Sequence, residues 1–254
     1  MRSKHAGRFK RLLALATVVA FEQAAAAQST IFNVPTTDTV AKGKAYFEFN
    51  YLVQTPKPED LPSGSPARRL HVLTPRVVIG VRENVEAGAN VATLHFGPMH
   101  SVFLQPNVKW KFLSSNGGTA AAAGAILYTP LNHRDGMDTF PLVYANVSKS
   151  IDHAYGPRFT IGPYGILGTD AVLGIAGPRA GVIAGYEQPV HSKAKIVAEW
   201  FSGKNAFGYF TPGVSITLPG NGVFNAGYSI GNDSWENSNA TRNRLLFLYY
   251  GVTF

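Results

Sequence analysis

The chain has 254 residues, with 23 Lys+Arg against 15 Asp+Glu, seven histidines and no cysteine. Without cysteine, a disulfide framework, a thiolate metal site and a cysteine nucleophile are all excluded. The formal net charge of +8 overstates the basicity of the folded part, for a reason that lies at the amino terminus.

Residues 1–27 carry Arg2, Lys4, Arg8, Lys10 and Arg11, then the apolar run LLALATVVAF, then Ala24 to Ala27. A charged region, an apolar region and an Ala-x-Ala site read as a removable secretory signal peptide. The apolar run is well short of the ~20 residues a retained anchor helix needs. Glu22 stands where neutral residues are usual, which blurs the position of cleavage. Five of the 23 basic and one of the 15 acidic residues lie in this segment, which leaves 18 against 14, a net charge of +4. No basic run remains that suggests a nucleic-acid surface, so no nucleic-acid partner is expected.

Residues 28–42 have no strong strand pattern, and the reading of 28–42 is an amino-terminal segment able to lie as a plug inside the fold built by residues 43–254. From 43 onward there is no run of 18 apolar residues, so a membrane can be crossed only by strands. Period-two alternation rich in Val, Ile, Tyr, Phe and Thr recurs between Gly, Pro and Asn clusters. It predicts strands at 43–53, 70–82, 86–96, 102–113, 118–129, 139–150, 157–168, 177–187, 194–203, 206–218, 222–231 and 243–254. Crossing an apolar band ~25 Å tall at ~40° tilt takes about 10 residues, a length these segments have.

Short connections such as RENVE, SSNGG, HSK and PGNG alternate with longer ones: TPKPEDLPSGSPAR, PLNHRDGMD, TDAVLGIAG and NDSWENSNATR. Such alternation is expected of a closed antiparallel up-and-down transmembrane β-barrel, with short turns on one side and long loops on the other. Pro75, Pro106, Pro141, Pro178 and Pro212 recur every 31 to 37 residues, which places one proline near a strand start in each hairpin. The expected fold is therefore all-β, with residues 43–254 forming one barrel of about twelve strands.

The last strand places Leu246, Leu248, Tyr250, Val252 and Phe254 on one face. A terminal aromatic preceded by alternate apolar residues resembles the signal by which outer-membrane barrels are recognised for assembly, which implies the bacterial outer membrane and the barrel-assembly machinery as a partner. The same parity puts Phe47, Phe49, Val77, Ile79, Val108, Trp110, Val182 and Tyr186 toward lipid. Glu48, Arg76, Lys109, Lys111, Arg179, Glu187, Lys195 and Glu199 then point inward as candidate channel-lining residues, since charge on the lipid face costs a few kcal/mol. Arg82 falls on this inward side as well. Tyr249, Phe247 and Leu245 share the inner face, so part of the lumen is expected to be apolar.

With the segment STIFNVPTTDTVAKGKAYFEFNYL ahead of it, this layout is similar to a family of small porin-like barrels of Gram-negative bacteria, and loosely to the outer-membrane proteins of phenol meta-pathway clusters. The resemblance rests on layout and carries over no functional residue. It implies a twelve-stranded barrel and uptake of small molecules, aromatic compounds among them.

Other chemistry is poorly supported. His133, Asp135 and Asp138 match no calcium loop and read as turn residues. An outer-membrane hydrolase would need a Ser and a His on neighbouring positions, and His95 has no serine two positions away. The glycines of GPYGILG precede no helix and cradle no phosphate. No catalytic residue, metal or cofactor is expected. A narrow passive channel for small solutes, in contact with outer-membrane lipid and lipopolysaccharide, is the leading expectation. A non-conducting structural or adhesive barrel is the alternative, and a hydrolase comes third.

Overall fold

The computed structural model describes residues 29–55, 69–132, 138–153, 155–168, 178–205, 207–232 and 244–254. Residues 1–27, expected from sequence to be a signal peptide, together with His133, Asp135 and most of 232–242, lie outside the described residues.

Twelve strands run in chain order: β1 (Ala45–Gln54), β2 (Leu70–Arg82), β3 (Val85–Phe96), β4 (Met99–Ser114), β5 (Thr119–Pro130), β6 (Phe140–Ser150), β7 (Arg158–Ile166), β8 (Ala180–His191), β9 (Ala194–Phe201), β10 (Tyr209–Leu218), β11 (Gly222–Gly231) and β12 (Arg244–Thr253). Each pairs with its neighbours in sequence, and β12 returns to β1 through Phe47↔Val252 and Tyr51↔Leu248. The ring is closed, so every strand edge is paired.

The faces follow from the alternation. Trp110 is 53% and Ile161 58% exposed, whereas Glu48 is 0%, Lys109 2% and Glu199 1% exposed. Leu246, Leu248, Tyr250, Val252 and Phe254 share the outer face of β12, opposite Leu245, Phe247 and Tyr249. An exterior this apolar is suited to hydrocarbon and not to water. Among the described residues no helix is long and apolar enough to cross a membrane.

Glu83–Asn84, Ser192–Lys193 and Pro219–Asn221 form tight turns at one end. In the last of these, Gly220 (φ +72°) and Asn221 (φ +60°) take the left-handed conformation that such hairpins require. The strand ends that flank 55–69, 131–139, 167–179 and 232–243 lie at the other end, together with the short connection Gly97–Pro98.

Two sequence expectations are corrected. Pro75 and Pro106 lie well inside β2 and β4, paired with Phe49 and Ala89, and not near strand starts. β2 keeps its expected bounds and β4 begins three residues earlier than expected, so each proline costs one ladder donor within a long strand. Arg82 is exposed and lies opposite Val85, because a register shift between Gly80 and Arg82 removes it from the inner face.

The lumen is occupied by the chain's own amino-terminal segment. Thr30 bridges Pro35, Ile31 N–H donates to the Val34 carbonyl at 3.0 Å, and Thr36 N–H donates to the Ser29 carbonyl at 3.0 Å, closing a tight hairpin. The segment then descends to the short-turn end, where Lys42 bridges Gly80 before β1 begins. Ile31, Phe32 and Val34 of this hairpin belong to the same buried cluster as Phe140, Leu142 and Phe247 from the wall.

Candidate functional site

The hairpin leans on one wall. The Phe32 ring meets Phe247 and Tyr249 edge-on at 5.7 and 5.5 Å between centroids. Gly213 and Gly227, on β10 and β11, leave the space that Phe32 fills, since a Cβ at either would lie 2.5–2.6 Å from its ring. Glu199 holds the tip. Its Oε2 accepts from the backbone N–H groups of Phe32, Asn33 and Val34 at 3.0, 2.9 and 2.7 Å, and its Oε1 accepts from the Tyr209 hydroxyl at 2.9 Å. Three amides converging on one carboxylate make an anion nest with the protein's own side chain as the anion. The Asn33 amide donates to the Tyr209 hydroxyl, and its oxygen accepts from the Tyr249 hydroxyl, each at 3.0 Å.

On the opposite wall the contacts are ionic. Arg76 pairs with Glu48 at 3.0 Å and donates to the Thr30 hydroxyl at 2.8 Å. Lys109 pairs with Glu86 at 3.0 Å and donates to the Ser29 carbonyl at 2.8 Å, while Glu86 accepts from Val40 N–H at 2.7 Å. Near the short-turn end Arg158 binds Asp38 and approaches Glu187 at 3.6 Å, and Lys195 pairs with Glu187 at 3.3 Å. Burial pushes the Asp38 carboxyl up, but the Arg158 guanidinium against it outweighs that and holds it below its ordinary value.

Of the residues singled out from sequence, Glu48, Arg76, Lys109, Glu187, Lys195 and Glu199 face the lumen. Glu48 and Arg76 form one pair, and Glu187 and Lys195 another. Lys111 is half-buried one inward step beyond Lys109. Arg179 stands apart, just before β8 at the long-loop end, where it donates to the Gly168 carbonyl. Sequence reasoning missed Glu86, Arg158, Asn33 and Tyr209. The parity of β3, β7 and β10 would have placed three of these inward.

A cavity of about 200 Å³ borders the hairpin at Asn33 and Pro35 and reaches from the ionic wall across to Phe201, Tyr209 and Tyr249. Leu52, Val72, Leu94 and Phe103 line its apolar sides, and Arg76, Asn90 and Gln105 add polar groups. A second cavity of about 20 Å³, bordered by Ser29, Asn107 and Lys109, shares Pro35, Arg76 and Ile126 with the first. Among the described residues no group of three or more His, Asp or Glu is placed to hold a metal.

Fold and lumen together define an internally plugged, closed twelve-stranded barrel with an apolar exterior. No family model and no curated protein matches the sequence. Among solved structures, the chain is similar to an outer membrane channel from Pseudomonas putida F1, at 11% identity and TM-score 0.55, over 86% of this chain and 98% of that one. A chain solved in work on the in-meso crystallization of membrane proteins aligns at 12% identity over 83% of each chain, with a TM-score of 0.43 that is too low to carry an argument. At these identities the likeness establishes the barrel fold.

The glycine socket gives a direct test of the docking. Gly227→Val places side-chain atoms where the Phe32 ring sits, and overpacking of this kind costs about 1–3 kcal/mol. The expected result is chymotryptic cleavage after Phe32 that rises roughly 5- to 100-fold, with the barrel itself intact. Gly185→Ala crowds the flexible Cδ1 end of Ile31, with Thr160 and Val34 at ordinary contact distance, and should leave cleavage near the parent rate.

Proposed function

We propose that this chain is an outer-membrane channel for passive uptake of small solutes, closed at rest by its own amino-terminal hairpin. The observation that carries the reading is the 200 Å³ cavity left beside the hairpin in a barrel whose exterior is apolar. A lumen built only for support would pack shut. The export signal in the sequence and the likeness to a bacterial outer membrane channel support the same reading. The apolar sides of the cavity suit small organic compounds, aromatic ones among them. Outer-membrane lipid and lipopolysaccharide surround the barrel in this reading, and the assembly machinery engages the face ending at Phe254.

A non-conducting structural barrel is the second reading, favoured by how firmly Glu199 and the ion pairs hold the hairpin. Fractionation and liposome swelling separate the two. The channel should cofractionate with the outer membrane, shift on gels upon boiling, and let liposomes swell in small organic solutes. Outer-membrane recovery with no swelling for any small solute would leave the structural reading standing.

A further inference from the structure

We infer, on the reading that this barrel is a channel, that its route runs along the β2–β4 wall and selects small uncharged solutes carrying a hydrogen-bond donor. At the level of the hairpin the opposite wall is sealed, because Phe32 fills the sockets at Gly213 and Gly227 and meets Phe247 and Tyr249 edge-on. The smaller cavity lies against Arg76, Glu86, Asn107 and Lys109 of β2–β4 and opens at Arg76 toward the larger one, which reaches across to Tyr209 and Tyr249.

The charges along this wall are already matched. Arg76 faces Glu48 and Lys109 faces Glu86, each at 3.0 Å and nearly fully buried. An ion entering would lose its hydration and find no unpaired counter-charge there, a loss of several kcal/mol. A neutral molecule finds a row of carboxamides instead. Arg76 Nε donates to Asn90 Oδ1 at 3.3 Å, Asn90 Nδ2 to Gln105 Oε1 at 3.1 Å, and Asn107 Nδ2 to Asn90 Oδ1 at 3.4 Å.

Asn50 supplies the independent sign of a ligand. It lines the larger cavity and is 4% exposed, yet its Oδ1 accepts no hydrogen bond from the protein. Buried acceptors are ordinarily satisfied, so this oxygen fits the hydroxyl or N–H of an incoming molecule. Thr211 and Asn225 also hold unpartnered oxygens, but neither lines either of these two cavities. The 20 Å³ cavity holds about one water, so Arg76, Asn107 and Lys109 mark the constriction, and larger solutes pass only as the hairpin gives way there.

The chain has no cysteine, so single thiols report the route. In proteoliposomes, neutral methyl methanethiosulfonate should label Gln105→Cys and Asn107→Cys at least tenfold faster than the cationic trimethylammonium-ethyl reagent, and should spare Thr211→Cys. Equal labelling of Thr211→Cys would overturn the route, and equal rates for the two reagents would overturn the selection against ions. Should a cysteine variant fail the heat-shift test of folding, Asn50→Leu serves in its place. It should slow swelling in acetamide by severalfold relative to the parent, and an unchanged rate would refute the role of Asn50. Absence of acetamide swelling in the parent, with thiol labelling as expected, would count against the channel reading and leave the geometry of the route intact.

Discussion

Replacing Glu199 by leucine is expected to release the amino-terminal hairpin while leaving the barrel closed. Leucine approximates the size of the side chain but accepts no hydrogen bond. The N–H groups of Phe32, Asn33 and Val34, now bonded at 2.7–3.0 Å, would be left without that acceptor at a place where Phe32 and Val34 are fully buried. Each orphaned buried donor costs about 1–3 kcal/mol. Three of them sum to at least ~3 kcal/mol, roughly a hundredfold or more in the docking equilibrium. Chymotryptic cleavage after Phe32 should rise by that factor in Glu199→Leu and by much less in Glu199→Gln, which keeps one oxygen acceptor. Full protection in the leucine variant would mean that the apolar socket alone holds the hairpin.

The second large effect is expected at Arg76. In Arg76→Leu the Glu48 carboxylate stays fully buried with the Tyr46 hydroxyl, at 2.7 Å, as its remaining donor. Breaking a buried pair by removing one partner costs about 3–5 kcal/mol, because the survivor is uncompensated. Against a typical total stability of roughly 5–15 kcal/mol, that is a large fraction. The urea midpoint for loss of the heat-modifiable band should fall sharply. Replacing both partners, Glu48→Leu with Arg76→Leu, should recover much of the loss, since an apolar pair leaves no stranded charge. A double variant no more stable than Arg76→Leu alone would place the cost in packing, not in charge.

The strands were legible because an apolar solvent outside the barrel forces a strict period of two, as in Phe47, Phe49 and Tyr51 or in Leu246, Leu248 and Tyr250. Even β2, Leu70–Arg82, has the bounds its alternation predicts. The lumen was harder to read. Its inward positions face other protein groups, so they carry Gly227, Tyr209 and Glu199 with no common hydropathy, each fitted to a different part of the hairpin. Nothing local links Phe32 to Glu199, a separation of 167 residues. Glu86 and Arg158 were recoverable from the parity of their strands. Asn33 was not, because its partners Tyr209 and Tyr249 are known only once the barrel closes. Arg82 failed for a local reason, a bulge that alternation cannot foresee.

Single-channel recording tests the central claim most directly. In planar bilayers the intact protein should remain closed or open only briefly. A variant lacking residues 29–39, keeping residues 1–28 and shown by heat modification to be folded, should give sustained conductance steps. The twelve-stranded lumen, roughly 10–14 Å wide inside its side chains, then lacks its largest obstruction. Silence from both proteins, or indistinguishable traces, would contradict an account in which the hairpin is the seal of a channel.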